Sequence, residues 1–175
     1  MLDDLKYPIG KFTPQPLDAT ALAQYILDIE QLPENLEVAL LNLDAAQIQT
    51  PYREGGWTVN QLVHHIADSH INAFTRVKLA LTEENATLKA YDENAWSVLA
   101  DVTQVPVNVS VTLLHALHLR WVTLLKSLSA EQLNRSIHHP VSGRDMSVWF
   151  LISLYAWHGK HHVAHITALR NRNNW

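Results

Sequence analysis

Apolar residues recur at three- and four-residue spacing in four long stretches of the chain, the period of an amphipathic helix. The first stretch follows Asp18, a residue suited to capping a helix N-terminus, and reads ATALAQYILDIEQL. Pro33 then either kinks this helix or starts a second segment, ENLEVALLNL, ending near Leu43. After the loop TPYREGGW, Thr58 and Gln61 match a capping box, which predicts a second helix running to about Leu81. At about 100° per residue, Leu62, Ile66, Ala73, Val77 and Ala80 form one apolar stripe, and His70 falls inside it. Beside it lies a polar row of His65, Ser69, Asn72 and Arg76, as expected for the wall of a buried pocket. His64 points away, toward solvent.

The third stretch spans 108–128, with Leu114, Leu117, Trp121, Leu124, Leu125 and Leu128 on its apolar side and His118 at the margin. The fourth begins near Ser147 and covers 148–169 with no proline and a single glycine. There Val148, Leu151, Tyr155, His158, His162 and Leu169 share a narrow arc, with His165 at its edge and His161 roughly a quarter turn off. Between the helices, residues 1–17 hold three prolines and a glycine and read as an extended lead-in. The connection at 82–106 predicts a short helix around 93–100. Ser129 and Gln132 match another capping box, and IHHPVSGRDM reads as a turn or small hairpin. The expected fold is all-α: one domain over 1–175, an antiparallel-type four-helix bundle with an extended N-terminal lead-in and short extra helices.

Composition sharpens this reading. Hydrophobic residues make up 47%, as in a globular chain with a real core. The net charge is −4 and the 13 basic residues form no run, which speaks against a nucleic-acid surface. The chain has no cysteine, so disulfides, thiolate zinc sites and cysteine nucleophiles are excluded. No apolar run is long enough to span a membrane and no signal pattern opens the chain, which makes a cytoplasmic location the default expectation. The anomaly is histidine: 11 residues, dense at 64–70 and 158–165.

Imidazole is both a metal ligand and a proton carrier near neutral pH. His158 and His162, four apart, point the same way along one helix, the spacing by which a helix offers two nitrogens to one ion. Burying such groups unpaired costs a few kcal/mol each (about 2–7), and a metal satisfies them jointly. His65, bordering the core face of the second helix, is the third ligand by geometry. His161 and His165 form a second pair at the same spacing, ranked lower because His161 turns from the core. Asp68, one turn from His65, is either a solvated carboxylate or a partner orienting an imidazole N–H. Three neutral nitrogens suit one Zn²⁺ or Ni²⁺ per chain rather than Mg²⁺ or Ca²⁺, and they leave a coordination position for water. There is no phosphate-binding glycine loop, no GxSxG and no HExxH.

These residues carry a resemblance. The stretches YPIGKF, TPYREGGWTVNQLVHHIADSHIN, RVKLALTEE, LHLRW and WHGKHHVAHITAL are similar to the DinB/YfiT-like superfamily of metal-binding four-helix bundles. The second and last are the specific ones, and the match is to the YfiT branch, assigned as metal-dependent hydrolases. The resemblance implies three histidine ligands, one on the second helix and two four apart on the last, falling on His65, His158 and His162. It also implies a homodimer in the cytoplasm, with zinc or nickel bound. The family is similar in sequence to thiol S-transferases that use bacillithiol.

Two functional classes follow. In an enzyme, the metal acidifies water or a low-molecular-weight thiol, giving a hydrolase or an S-transferase acting on a small electrophilic substrate. His118, Asn72 or Arg76 would then bind or protonate the substrate, with Arg76 suited to a carboxylate of a thiol cofactor. In the other class the metal is a staple or sensor with a closed shell, and its removal costs stability without loss of any chemistry. A metal-free bundle with hydrogen-bonded core histidines is the third possibility.

Overall fold

The computed structural model describes residues 5–175. The lead-in expected over 1–17 is seen from Leu5 onward, and its residues 1–4 lie outside the described residues. Leu5 and Lys6 are helical, a correction to the expectation of no element there; a turn with Gly10 at positive φ follows. The segment then runs along the last helix, where Phe12 packs edge-on against Phe150 and the Gln15 carbonyl accepts from Trp149 Nε1.

Helix α1 (Ala19–Leu40) starts where Asp18 accepts from the backbone N–H groups of Thr20 and Ala21, a cap worth about 1 kcal/mol. It continues through the buried Pro33 without starting a new segment. A short α2 (Ala45–Ile48) precedes α3 (Val59–Thr82), which opens with both halves of the Thr58–Gln61 capping box in place. The connection holds two short pieces, α4 (Glu93–Trp96) and α5 (Ala100–Gln104), where one was expected. Helix α6 (Val107–Lys126) is followed by α7 (Ala130–Asn134), capped by Ser129 as the sequence predicts. The hairpin at 137–146 forms as β1 (Ser136–His139) and β2 (Arg144–Ser147), paired antiparallel. Ser147 caps the long last helix α8 (Val148–Asn173). No helix among the described residues is long and apolar enough to cross a membrane.

The four long helices form a bundle whose path is not simply up and down. Helix α1 packs mainly on α6 and α8, and α3 packs on the same two. The contacts fix the directions. Tyr25 meets Trp149 near the start of α1 and α8, and Arg170 donates to the Ala39 carbonyl near their ends, so these two run parallel. His64 bonds Ser110, His70 bonds His118 and Phe74 meets Trp121, so α3 and α6 are parallel as well. The pairs α1–α6 and α3–α8 are antiparallel, through His115–Glu37 and Lys126–Glu30 in one and His65–His162 and Arg76–Tyr155 in the other. The long 83–106 connection is what allows α6 to return parallel to α3. The expectation of an antiparallel-type bundle thus holds for two of the four neighbouring pairs.

This arrangement divides the core. One apolar cluster gathers Ile29, Val77, Trp121, Leu151 and Ile152, and the other gathers Leu36, Leu62, Ile66, Leu114 and Ile166. On three of the long helices histidines lie between the residues of these clusters: His70 on α3, His118 on α6, and His158, His161, His162 and His165 on α8, with His65 one turn before His70. The histidines therefore form a layer at the waist of the bundle. Gly159 lets α1 come close there, since a Cβ at this position would lie 2.8 Å from Leu32 Cδ2.

Candidate metal centre

His65, His158 and His162 come together at the waist, each offering a ring nitrogen within 4.8 Å of the others. Helix α3 supplies the first and α8 the other two, one turn apart. Nε2 of His158 and Nε2 of His162 are 3.1 Å apart. An ion with metal–nitrogen bonds of about 2.0–2.1 Å places neighbouring ligand nitrogens roughly 3.0–3.4 Å apart, so the pair suits such an ion. Trp57 lies over the His65 ring at 4.6 Å between centroids. Nδ1 of His162 is buried without a partner.

The electrostatics keep these rings neutral, as ligation requires. Burial pushes His65 down to about 4. His158 and His162 lie well below 6.5, first through burial and then through repulsion by neighbouring imidazoles. All three nitrogen donors therefore carry lone pairs at neutral pH, a donor set matched to borderline divalent metals.

A second set, His161, His162 and His165, also brings ring nitrogens within 4.8 Å of one another. His161 does not turn from the core as its angular position on the helix suggests. It is buried, stacked on Trp157 at 4.4 Å, and its Nε2 is 3.1 Å from Nε2 of His165. The lead-in and the loop before α3 cover this set through Tyr7 and Tyr52. The two sets share His162 and differ in support. Metal-ligating histidines generally donate their second N–H to a fixed acceptor. Nδ1 of His158 has a partner, whereas Nδ1 of His161 is buried with none.

The remaining expected site residues, His118, Arg76 and Asn72, are not among the three that converge. His118 does not face the triad directly. It is 2% exposed, and its Nε2 lies 3.1 Å from Nδ1 of His70, whose Nε2 lies 3.3 Å from Nδ1 of His158. Arg76 donates to the Tyr155 hydroxyl at 3.1 Å, and its Nε is buried with no partner. Asn72 donates to the Asp68 carbonyl one turn back. The Asp68 carboxyl makes no hydrogen bond to an imidazole among the described residues; burial and Asp101 push it up to about 6. Tyr91, held up to about 12 chiefly by burial, closes over this polar row beside Ser69 and Arg76.

Two residues change their roles. His64, expected in solvent, is 6% exposed, with Nδ1 2.8 Å from Ser110 Oγ and Nε2 3.0 Å from the Val105 carbonyl. The segment entering α6 folds over that edge of α3, which a single-helix projection does not include. His70, read only as part of the apolar stripe, is the link between His118 and His158. A histidine inside an otherwise apolar stripe was itself the signal that it must find polar partners.

The comparisons with known proteins bear on the family and the fold. A family profile for the DinB superfamily matches residues 28–166. A Bacillus cereus (strain ATCC 10987 / NRS 248) protein named "Putative metal-dependent hydrolase" is 50% identical over 99% of this chain and 100% of its own. A protein of the same name from Bacillus anthracis (strain CDC 684 / NRRL 3495) matches to the same extent. Among solved structures, one described as "YfiT from Bacillus subtilis is a probable metal-dependent hydrolase with an unusual four-helix bundle topology" superposes with a TM-score of 0.95. It is 42% identical, over 98% of this chain and 99% of that one. The fold, the matched span and the full-length identity together place this chain in the DinB superfamily.

Proposed function

We propose that the protein is a metal-dependent hydrolase whose single divalent ion, zinc or nickel, is held by His65, His158 and His162. The observation that carries this reading is the convergence of three neutral imidazoles from two helices at the bundle waist. The names of the full-length relatives support it. Bound there, a divalent ion supplies a Lewis acid and lowers the pKa of a coordinated nucleophile toward neutrality.

The surrounding residues bind and orient. Trp57 shields one face of His65 and keeps water from that side. Arg76, anchored on Tyr155, has an unused buried N–H for an anionic substrate group. Asp68, with its carboxyl near 6, exchanges a proton close to neutral pH from a position one turn along α3 from His65. His118 and Asn72 support the site from behind rather than touching substrate.

A thiol S-transferase is the second reading. The unpartnered Arg76 N–H favours it, since a carboxylate-bearing low-molecular-weight thiol would satisfy that donor. The deciding experiment loads the protein with zinc or nickel and supplies small esters and amides, with and without a carboxylated thiol. Turnover without thiol that disappears in His158→Ala supports the hydrolase. Turnover only with thiol supports the transferase, and none in either arm leaves a metal-binding bundle.

A further inference from the structure

A chain of contacts runs through all four long helices to the proposed metal site, and its direction is set by chemistry. It begins at Pro33, which has no N–H to donate to the carbonyl four residues earlier. The Ile29 carbonyl therefore lacks its helical partner, and Nδ1 of His118, on α6, reaches it. Nε2 of His118 meets Nδ1 of His70 on α3, and Nε2 of His70 meets Nδ1 of His158 on α8.

We infer that Pro33, His118 and His70 are positioning residues that fix His158 in the Nδ1–H tautomer and so aim its Nε2 lone pair into the metal site. A carbonyl oxygen only accepts, so the proton of His118 sits on Nδ1. His118 is neutral, held down to about 4 chiefly by burial, so its Nε2 is bare and accepts from Nδ1–H of His70. His70 is fully buried, with Trp121 and Tyr155 edge-on to its ring and no carboxylate among the described residues bonded to it, so it carries one proton. Its Nε2 is then bare and accepts from Nδ1–H of His158. What remains on His158 is an unprotonated Nε2, the atom 3.1 Å from Nε2 of His162. Reversing any one link would place two protons, or none, between adjacent nitrogens.

The function of the relay rests on the metal reading, but the tautomers can be tested without it. In metal-free protein labelled with ¹⁵N-histidine at pH 7, long-range proton–nitrogen spectra are expected to show Nδ1–H on His118, His70 and His158. For zinc, competition with a chromophoric chelator is expected to give 10–100-fold weaker binding in His70→Leu. His70→Gln, whose amide oxygen can replace the lost acceptor, is expected to return affinity to within about threefold, the level at which a hydrogen-bonding partner has been restored. An Nε2–H tautomer on His70 or His158 overturns the inference. So does wild-type zinc affinity in His70→Leu, or Gln as weak as Leu, with helical content unchanged in each. If the wild type takes up no zinc, the metal reading fails and the tautomer spectrum still decides this one.

Discussion

His158 and His162 face each other nitrogen to nitrogen, 3.1 Å apart across one turn of α8, in a layer where their neighbours are imidazole and aromatic rings. Two buried charged rings at that distance would repel strongly; in the metal-free protein the Nε2–H of a neutral His162 can donate to the bare Nε2 of His158. A shared cation would replace that single hydrogen bond with two coordination bonds. Saturating metal is therefore expected to stabilise the fold: at 100 times Kd by about 2.7 kcal/mol, which in a chain of this size raises Tm by roughly 5–10 °C. Differential scanning fluorimetry with zinc and with chelator reads this directly. His162→Ala should fold and show no metal-dependent shift; an equal shift in that variant would place the ion elsewhere.

Acid should destabilise the metal-free protein early. His65, His70, His118, His158, His161, His162 and His165 all have folded pKa values lowered chiefly by burial, His65, His118 and His161 to about 4 and His165 to about 3. The unfolded chain takes up protons near 6.5 while the folded one does not. Stability is thus full above about 6.5 and falls as pH drops below it, by up to about 1.4 kcal/mol per pH unit for each histidine. Asp68, raised to about 6, acts in the opposite sense between its unfolded value and 6, and it is one group against several. Urea unfolding with chelator at pH 7.5, 6.0 and 5.0 should show a steep decline. A flat profile would mean the histidines are not held neutral.

The neighbours His64 and His65 should separate structure from chemistry. His64→Ala removes two hydrogen bonds to the segment entering α6 and leaves the buried Ser110 hydroxyl and the half-buried Val105 carbonyl without this partner. The expected cost is about 2–3 kcal/mol, with metal stoichiometry retained. His65→Ala should do the reverse, losing the metal at little cost to the metal-free fold. Chemical denaturation and metal analysis on the two variants check the contrast.

Arg76→Leu removes the cation proposed to meet an anionic substrate group and its bond to the Tyr155 hydroxyl. Zinc content should be unchanged and stability lowered by about 1 kcal/mol. KM for a carboxylate-bearing substrate or thiol should rise tenfold or more, the equivalent of about 1.4 kcal/mol, with neutral analogues unaffected. An equal rise for neutral analogues would place Arg76 outside substrate recognition.

Much of this molecule was legible in local pattern. Asp18, Thr58, Ser129 and Ser147 mark helix starts because capping is a short-range matter of one side chain and the next three N–H groups. His65, His158 and His162 were legible because each sits at a helical position bordering a core face. What pattern could not reach depends on other segments. His64 is buried by residues 105–110, and the parallel pairing of α3 with α6 depends on the course of the 83–106 connection. Pattern left both a kink and a new segment open at Pro33; the bundle keeps the helix continuous and uses the carbonyl it frees. His70 was visible as an oddity in an apolar stripe, but its partners lie on α6 and α8.

His65, His158 and His162 are proposed to hold one divalent ion together. The most direct test is metal content by mass spectrometry on untagged protein, wild type beside the three single alanine variants, with helical content measured in each. About one zinc or nickel per wild-type chain is expected, lost in all three variants while the helices persist. Wild-type protein that takes up no metal even when supplied with it, or variants that keep it, would contradict that proposal.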